Sequence, residues 1–240
     1  MREEKRPFLL IHGGVHGGWC WKLVALLLRS AGHSVFTPSL TGLGDRHHLS
    51  GPDIDLNTHI RDVTAVLESE ELEDTILVGH SYGGYPITGA ADAMRERIGD
   101  LVYLDAVIGQ DGVAQFDGIP KDVVESKMAQ AININGGKSL GGLSAQWYGV
   151  TDPDLATWVD RRITPQPAKT YTTPIRLKHP AGNGLPCTFI RCTRPKLSPI
   201  DAHESLARRL GMTMLEIPTG HDAMVTAPRE LADFLIRIAA

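Results

Sequence analysis

Short apolar, often β-branched stretches recur along this chain at residues 7–12, 34–38, 75–79, 101–105, 186–192 and 213–217. They have strand length, and turn-forming residues bound most of them. Between most of them, apolar residues repeat at helical spacing instead. Residues 19–31 stop at Gly32, residues 57–70 put Ile60, Val63, Val66 and Leu67 on one face, and 85–97, 202–210 and 229–239 behave alike. Strand followed by helix, repeated, predicts an α/β fold with a mostly parallel, doubly wound sheet and right-handed crossovers. Residues 107–184 break the rhythm. They are richer in Gly and Pro, show no strong strand, and carry Phe116, Met128, Trp147, Tyr148, Trp158 and Tyr171. An insertion of this length after a strand's C-terminal end predicts a helical cap over the active-site edge of one domain spanning 1–240.

Composition narrows the partners. The chain has 240 residues, 42% hydrophobic and 22% charged, enough for one domain with a sizeable core. A net charge of -4 without a basic cluster argues against nucleic acid or an anionic membrane surface as partner. No apolar run has the length of a membrane span, and the mixed charges of Met1 to Pro7 do not read as a signal peptide. Cys20, Cys187 and Cys192 are too sparse for a disulfide framework and read as buried thiols, so the cytoplasm is the expected compartment. Oligomeric state leaves no mark in the pattern.

The chemistry begins where the third strand ends, in Gly79-His80-Ser81-Tyr82-Gly83. A serine between glycines, with a buried strand before it and a helix after it, is the pattern of a nucleophile elbow. Serine needs a base, and His221 lies on a glycine-containing loop after the last strand and before the final helix. From there it reaches the top of the central strand. Among the other histidines, His80 points into packing, and His12 and His16 read as structural hydrogen-bonding residues. His47, His48, His59 and His179 read as solvated, and His203 lacks the second histidine of a zinc motif. The first loop, from His12 through Gly13, Gly14 and His16 to Trp19, does not have the spacing of a dinucleotide loop. Residues 136–139 fail as a phosphate loop, because the required earlier glycine is Ile132. The first loop is better read as an oxyanion hole, the Gly14 N–H acting with that of Tyr82. No cofactor or metal is called for.

Together, His-Gly-Gly-x-His-Gly-Gly-Trp, the serine elbow and the late Gly-His-Asp resemble the α/β-hydrolase superfamily. The likeness is greatest to its small-esterase branch, which includes plant methyl-ester hydrolases and hydroxynitrile lyases. It covers residues 1–106 and 185–240 and implies hydrolysis of a carboxylic ester through an acyl-enzyme on Ser81. The substrate is expected to be small and apolar or aromatic. In the common family pattern the triad acid follows the strand at 186–192, yet residues 193–200 contain no carboxylate. Asp201 stands where a helix should begin and is explained by N-capping. Asp105 ends the strand after the elbow helix, a position some superfamily members, haloalkane dehalogenases among them, use for their acid. Asp105 is therefore the preferred acid and Asp201 its rival, while Asp222 is too close to His221 to turn back on the same ring. One lyase group resembling this chain carries threonine at the Gly13 position and lysine at the Asp222 position; a second carries asparagine at Gly13. None is present here, which favours hydrolysis over cyanohydrin cleavage. Lactone opening, acyl elimination, cyclisation and non-catalytic ligand binding remain alternatives on the same scaffold.

Overall fold

In the computed structural model, which describes residues 5–240, the chain opens with β1 (Lys5–Ile11), α1 (Lys22–Ser30), β2 (His33–Phe36) and α2 (Leu56–Ser69). It continues through β3 (Thr75–His80), α3 (Gly84–Ala93) and β4 (Ile98–Leu104). An insertion follows, with α4 (Lys121–Ala129), β5 (Ile132–Ile134), β6 (Gly137–Leu140), α5 (Pro153–Asp160), β7 (Gln166–Pro167) and α6 (Lys169–Thr172). The chain closes with β8 (Cys187–Cys192), α7 (Asp201–Arg209), β9 (Thr213–Ile217), α8 (Ala223–Thr226) and α9 (Pro228–Ile238). The first four residues of the segment read as not being a signal peptide lie outside the described residues.

Each predicted strand takes a place in one parallel sheet, ordered β2-β1-β3-β4-β8-β9. The chain works outward from β1 to β2, then returns to start β3 on the other side of β1. That reversal opens a crevice at the C-terminal ends of β1 and β3, where ligands bind in open α/β sheets. β3 is buried along its whole length because helices cover both faces, which explains its unbroken apolar run. One core layer packs Leu9, Leu77, Leu101 and Phe189 against α2, α3 and α7. The other packs Leu10, Val78, Val102 and Ile190 against α1 and α9.

The insertion departs from the sequence reading. It holds a small antiparallel sheet, β5-β6-β7, as well as helices. The signal was Asn135-Gly136, both left-handed at φ 50° and φ 83°, the pair that a tight hairpin turn selects. Residues 136–139, which fail as a phosphate loop, are the second half of this hairpin. Its short strands bury little, so no apolar alternation marks them.

Candidate active site

Ser81 leaves β3 with φ 52°, a left-handed conformation that costs an L residue about 1–3 kcal/mol. The turn needs glycine on both sides. A Cβ on Gly79 would lie 2.6 Å from the Gly83 carbonyl oxygen, and one on Gly83 would lie 2.7 Å from that of His12. A single 3-10 turn, Ser81–Gly83, then feeds α3, so the Tyr82 N–H belongs to the first-turn donors a helix leaves unsatisfied.

One strand over, Asp105 follows β4. His80 and Leu104 pair across the ladder, so Ser81 and Asp105 are the next residues at two adjacent strand ends. Asp105 is also left-handed at φ 42° and fully buried. Its Oδ2 accepts a hydrogen bond of 2.6 Å from His221 Nδ1. In the neutral ring, an Nδ1–H given to the carboxylate leaves the lone pair on Nε2, the tautomer a general base requires. The His221 ring packs 4.5 Å from that of His80, the residue before Ser81, and His80 Nε2 donates to the His221 carbonyl at 3.0 Å. His80 thus does more than fill space.

Asp201 lies elsewhere. It is the first residue of α7, makes no capping bond, and its carboxylate accepts from Arg191 at 2.6 Å. The N-cap expectation for it is therefore corrected. The ion pair with Arg191 has taken the side chain. Arg191 escaped the sequence reading. It is the one charged residue of β8 and is buried to 1% exposure. Its guanidinium donates to Asp105 Oδ1, to Glu204 at 3.1 Å and to the Leu197 carbonyl at 2.8 Å. Burial works against its charge, but the adjacent Asp105 outweighs that and raises its pKa. A fully buried arginine demands partners, and that demand was the missed signal.

The first loop is held peptide by peptide. His12 Nε2 accepts the Leu40 N–H at 3.0 Å, so its Nδ1 carries the proton and donates to the Gly13 carbonyl at 2.7 Å. Burial lowers the His12 pKa to about 3, keeping the ring in this neutral form. In a trans peptide the N–H opposes the carbonyl, so His12 also fixes the direction of the Gly14 N–H. A Cβ on Gly13 would lie 3.0 Å from the Ser81 Cβ, which sets this loop directly against the serine. His16 faces two acceptors, the Gly14 carbonyl at 2.8 Å and Asp222 Oδ2 at 3.1 Å. Both acceptors are served at once only when both ring nitrogens carry hydrogen, the imidazolium form. Burial opposes that charge, but Asp222 overrides it and the pKa is raised. Asp222 therefore turns to His16 and ties the His221 loop to the first loop.

His59 corrects another expectation. It lies on the buried face of α2, donates from Nε2 to the Thr41 carbonyl at 2.9 Å and accepts the Tyr82 hydroxyl at 2.8 Å. His47 and His48 are exposed, as the sequence suggests, whereas exposed His179 pairs with Asp92 at 2.9 Å. From the insertion, the Tyr148 ring stacks 6.2 Å from that of His221, and Phe116 stacks on Tyr171 at 5.0 Å. The Tyr171 hydroxyl sits where a Cβ on Gly14 would come within 2.2 Å of it. Trp158 packs instead on Trp19, and Trp147 is exposed. Among the described residues no three His, Cys, Asp or Glu side chains converge as metal ligands.

The parallel sheet, the left-handed serine after β3 and the buried carboxylate–imidazole pair are the frame of an α/β-hydrolase. The model of that family matches residues 8–234, and the chain belongs to it. The chain is 41% identical over 242 residues to the carbendazim hydrolyzing esterase of Nocardioides sp. (strain SG-4G), covering 95% of this chain and 97% of that protein. It is 28% identical to Methylesterase 1 of Arabidopsis thaliana over 268 residues, 100% of this chain and 98% of the other. Among solved structures, an extracellular α/β-hydrolase from a Paenibacillus species superposes with a TM-score of 0.81 at 23% identity, covering 97% and 98% of the two chains. No helix among the described residues is long and apolar enough to cross a membrane.

Proposed function

We propose that Ser81, His221 and Asp105 act as nucleophile, general base and orienting acid of a carboxylic ester hydrolase, with the Gly14 and Tyr82 N–H groups as its oxyanion hole. The observation that carries this reading is the 2.6 Å bond from His221 to Asp105, formed at the strand end next to a left-handed serine. His221 Nε2 takes the Ser81 proton as Oγ adds to the ester carbonyl. The resulting oxyanion is held by the two amides, a stabilisation in which each donor contributes about 3–4 kcal/mol. Collapse expels the alcohol, which takes the proton from His221. Water, deprotonated by the same imidazole, then attacks the acyl-enzyme and frees Ser81.

The chain is one domain whose insertion, residues 107–184, caps the site. Tyr148, Tyr171 and Phe116 give that cap an aromatic inner surface, which suits a small apolar or aromatic acyl or alkoxy group. The carbendazim hydrolyzing esterase and Methylesterase 1 among its relatives support ester hydrolysis. Three free thiols are in keeping with a cytoplasmic enzyme.

The test pairs chemistry with substrate. Wild-type protein is treated with a fluorophosphonate probe and assayed on p-nitrophenyl esters of increasing acyl length and on carbendazim. Labelling at residue 81 and turnover, both abolished in Ser81→Ala, are the expected result. Unlabelled, inactive wild type rejects the reading.

A further inference from the structure

The segment of the cap around β7 grips the first loop at its most strained residue. Val15 is a β-branched residue at φ 59°, a region such side chains rarely occupy. Its N–H donates to the side-chain Oε1 of Gln166 at 2.9 Å, and its carbonyl accepts the Thr164 N–H at 2.9 Å. The Val15 side chain is buried beside Gly142 and Ile163, also from the cap. Gln166 is itself fully buried, and its Nε2 donates to Thr170 Oγ1 at 2.7 Å. Thr170 in turn donates to the Pro167 carbonyl at 2.7 Å, so the amide's orientation is set from its far end.

Gly14 lies between two fixed peptides. On one side, His12 holds the Gly13 carbonyl; on the other, His16 holds the Gly14 carbonyl while Gln166 holds the Val15 N–H. Glycine supplies no side chain to limit its own rotation, so its N–H direction is determined by those two anchors. We propose that Gln166 is a positioning residue for the oxyanion hole, holding Val15 left-handed so that the Gly14 N–H meets the developing oxyanion. This rests on the serine-hydrolase reading above. The cap then has a second task besides covering substrate: it completes the catalytic loop.

The experiment compares Gln166→Leu with wild type on a p-nitrophenyl ester, recording kcat, KM, the inhibition constant of a boronic acid that forms a tetrahedral adduct, and the thermal transition. Losing one oxyanion donor costs about 100- to 1,000-fold in kcat, so mis-aiming one is expected to cost about 10- to 100-fold. KM should change little, and boronate affinity should fall with kcat. In a Val15→Gly background the loss on Gln166→Leu should be several-fold smaller, because glycine takes positive φ without being held there. If Gln166→Leu does not fold, Thr170→Val loosens the same amide, and a smaller kcat loss at constant KM is expected. A folded Gln166→Leu with wild-type kcat overturns the proposal. So does a loss that tracks the thermal transition, leaves boronate affinity unchanged and is identical in the Val15→Gly background. Inactive, unlabelled wild type would instead strike the underlying esterase reading, so the two failures are distinguishable.

Discussion

Arg191 and His221 hold opposite oxygens of the Asp105 carboxylate: the guanidinium takes Oδ1 and the imidazole takes Oδ2. The Cys192 N–H adds a third donor, on Oδ1 at 3.1 Å. A buried carboxylate served from both sides has one orientation, and the histidine inherits it.

Removing that support should be costly twice over. Arg191→Met strands buried Asp105 without its cation, and breaking a buried pair typically costs about 3–5 kcal/mol. Turnover is expected to fall at least about tenfold in the fraction that folds, since a freed carboxylate no longer fixes the imidazole. Urea denaturation and kcat on the same preparation check both effects.

Asp105 and Asp201 are separable by a pair of isosteric changes. Asp105→Asn favours the wrong His221 tautomer and should lower kcat by about 10,000-fold while the chain stays folded. Asp201 is 52% exposed, so Asp201→Asn should cost about 0–1 kcal/mol of stability and leave kcat near wild type. The reverse ranking would assign the acid to Asp201.

The buried His16–Asp222 pair makes stability depend on pH. The folded pKa of His16 lies above its unfolded value, so the native state binds the extra proton. Its contribution is complete below about pH 6.5 and is lost as pH rises through the raised folded value. His12 and His80, lowered by burial, act oppositely: their contributions are lost as pH falls below about 6.5. Urea midpoints measured across neutral pH should therefore decline on both sides. His16→Gln should flatten the alkaline limb alone.

The elbow tolerates no added methyl. A Cβ on Gly83 would meet backbone oxygens at 2.7 Å and 2.9 Å, which no rotamer change relieves. Gly83→Ala is expected to destabilise by about 1–3 kcal/mol or more and to lose fluorophosphonate labelling as the serine turn shifts. Thermal melting and the labelling rate report the two consequences separately.

How much of this was legible beforehand follows from the range of each interaction. The sheet strands announced themselves because burial on both faces leaves unbroken apolar runs, and the elbow because its glycines answer local sterics. The Asp105 reading rests on two signals, the lack of any carboxylate in residues 193–200 and the place of Asp105 at the end of the strand after the elbow helix. Arg191, His59 and Gln166 stayed hidden because their partners are 86, 23 and 151 residues away. No local spacing encodes such pairings. The hairpin in the insertion is hidden for a different reason: its short strands carry no apolar alternation, and the local cue to it is the turn pair Asn135-Gly136.

Ser81 and Asp105 protrude from neighbouring rungs of one hydrogen-bonded ladder, whose spacing of about 4.8 Å is a property of backbone pairing. Their separation is thereby insulated from drift in the connections, unlike an acid carried on a loop after β8. Only the imidazole arrives on a loop, and bonds from His80 and His16 to residues 221 and 222 hold that loop in place. Sequence change around that loop would tune how the base approaches a gap whose two walls are already set by the sheet.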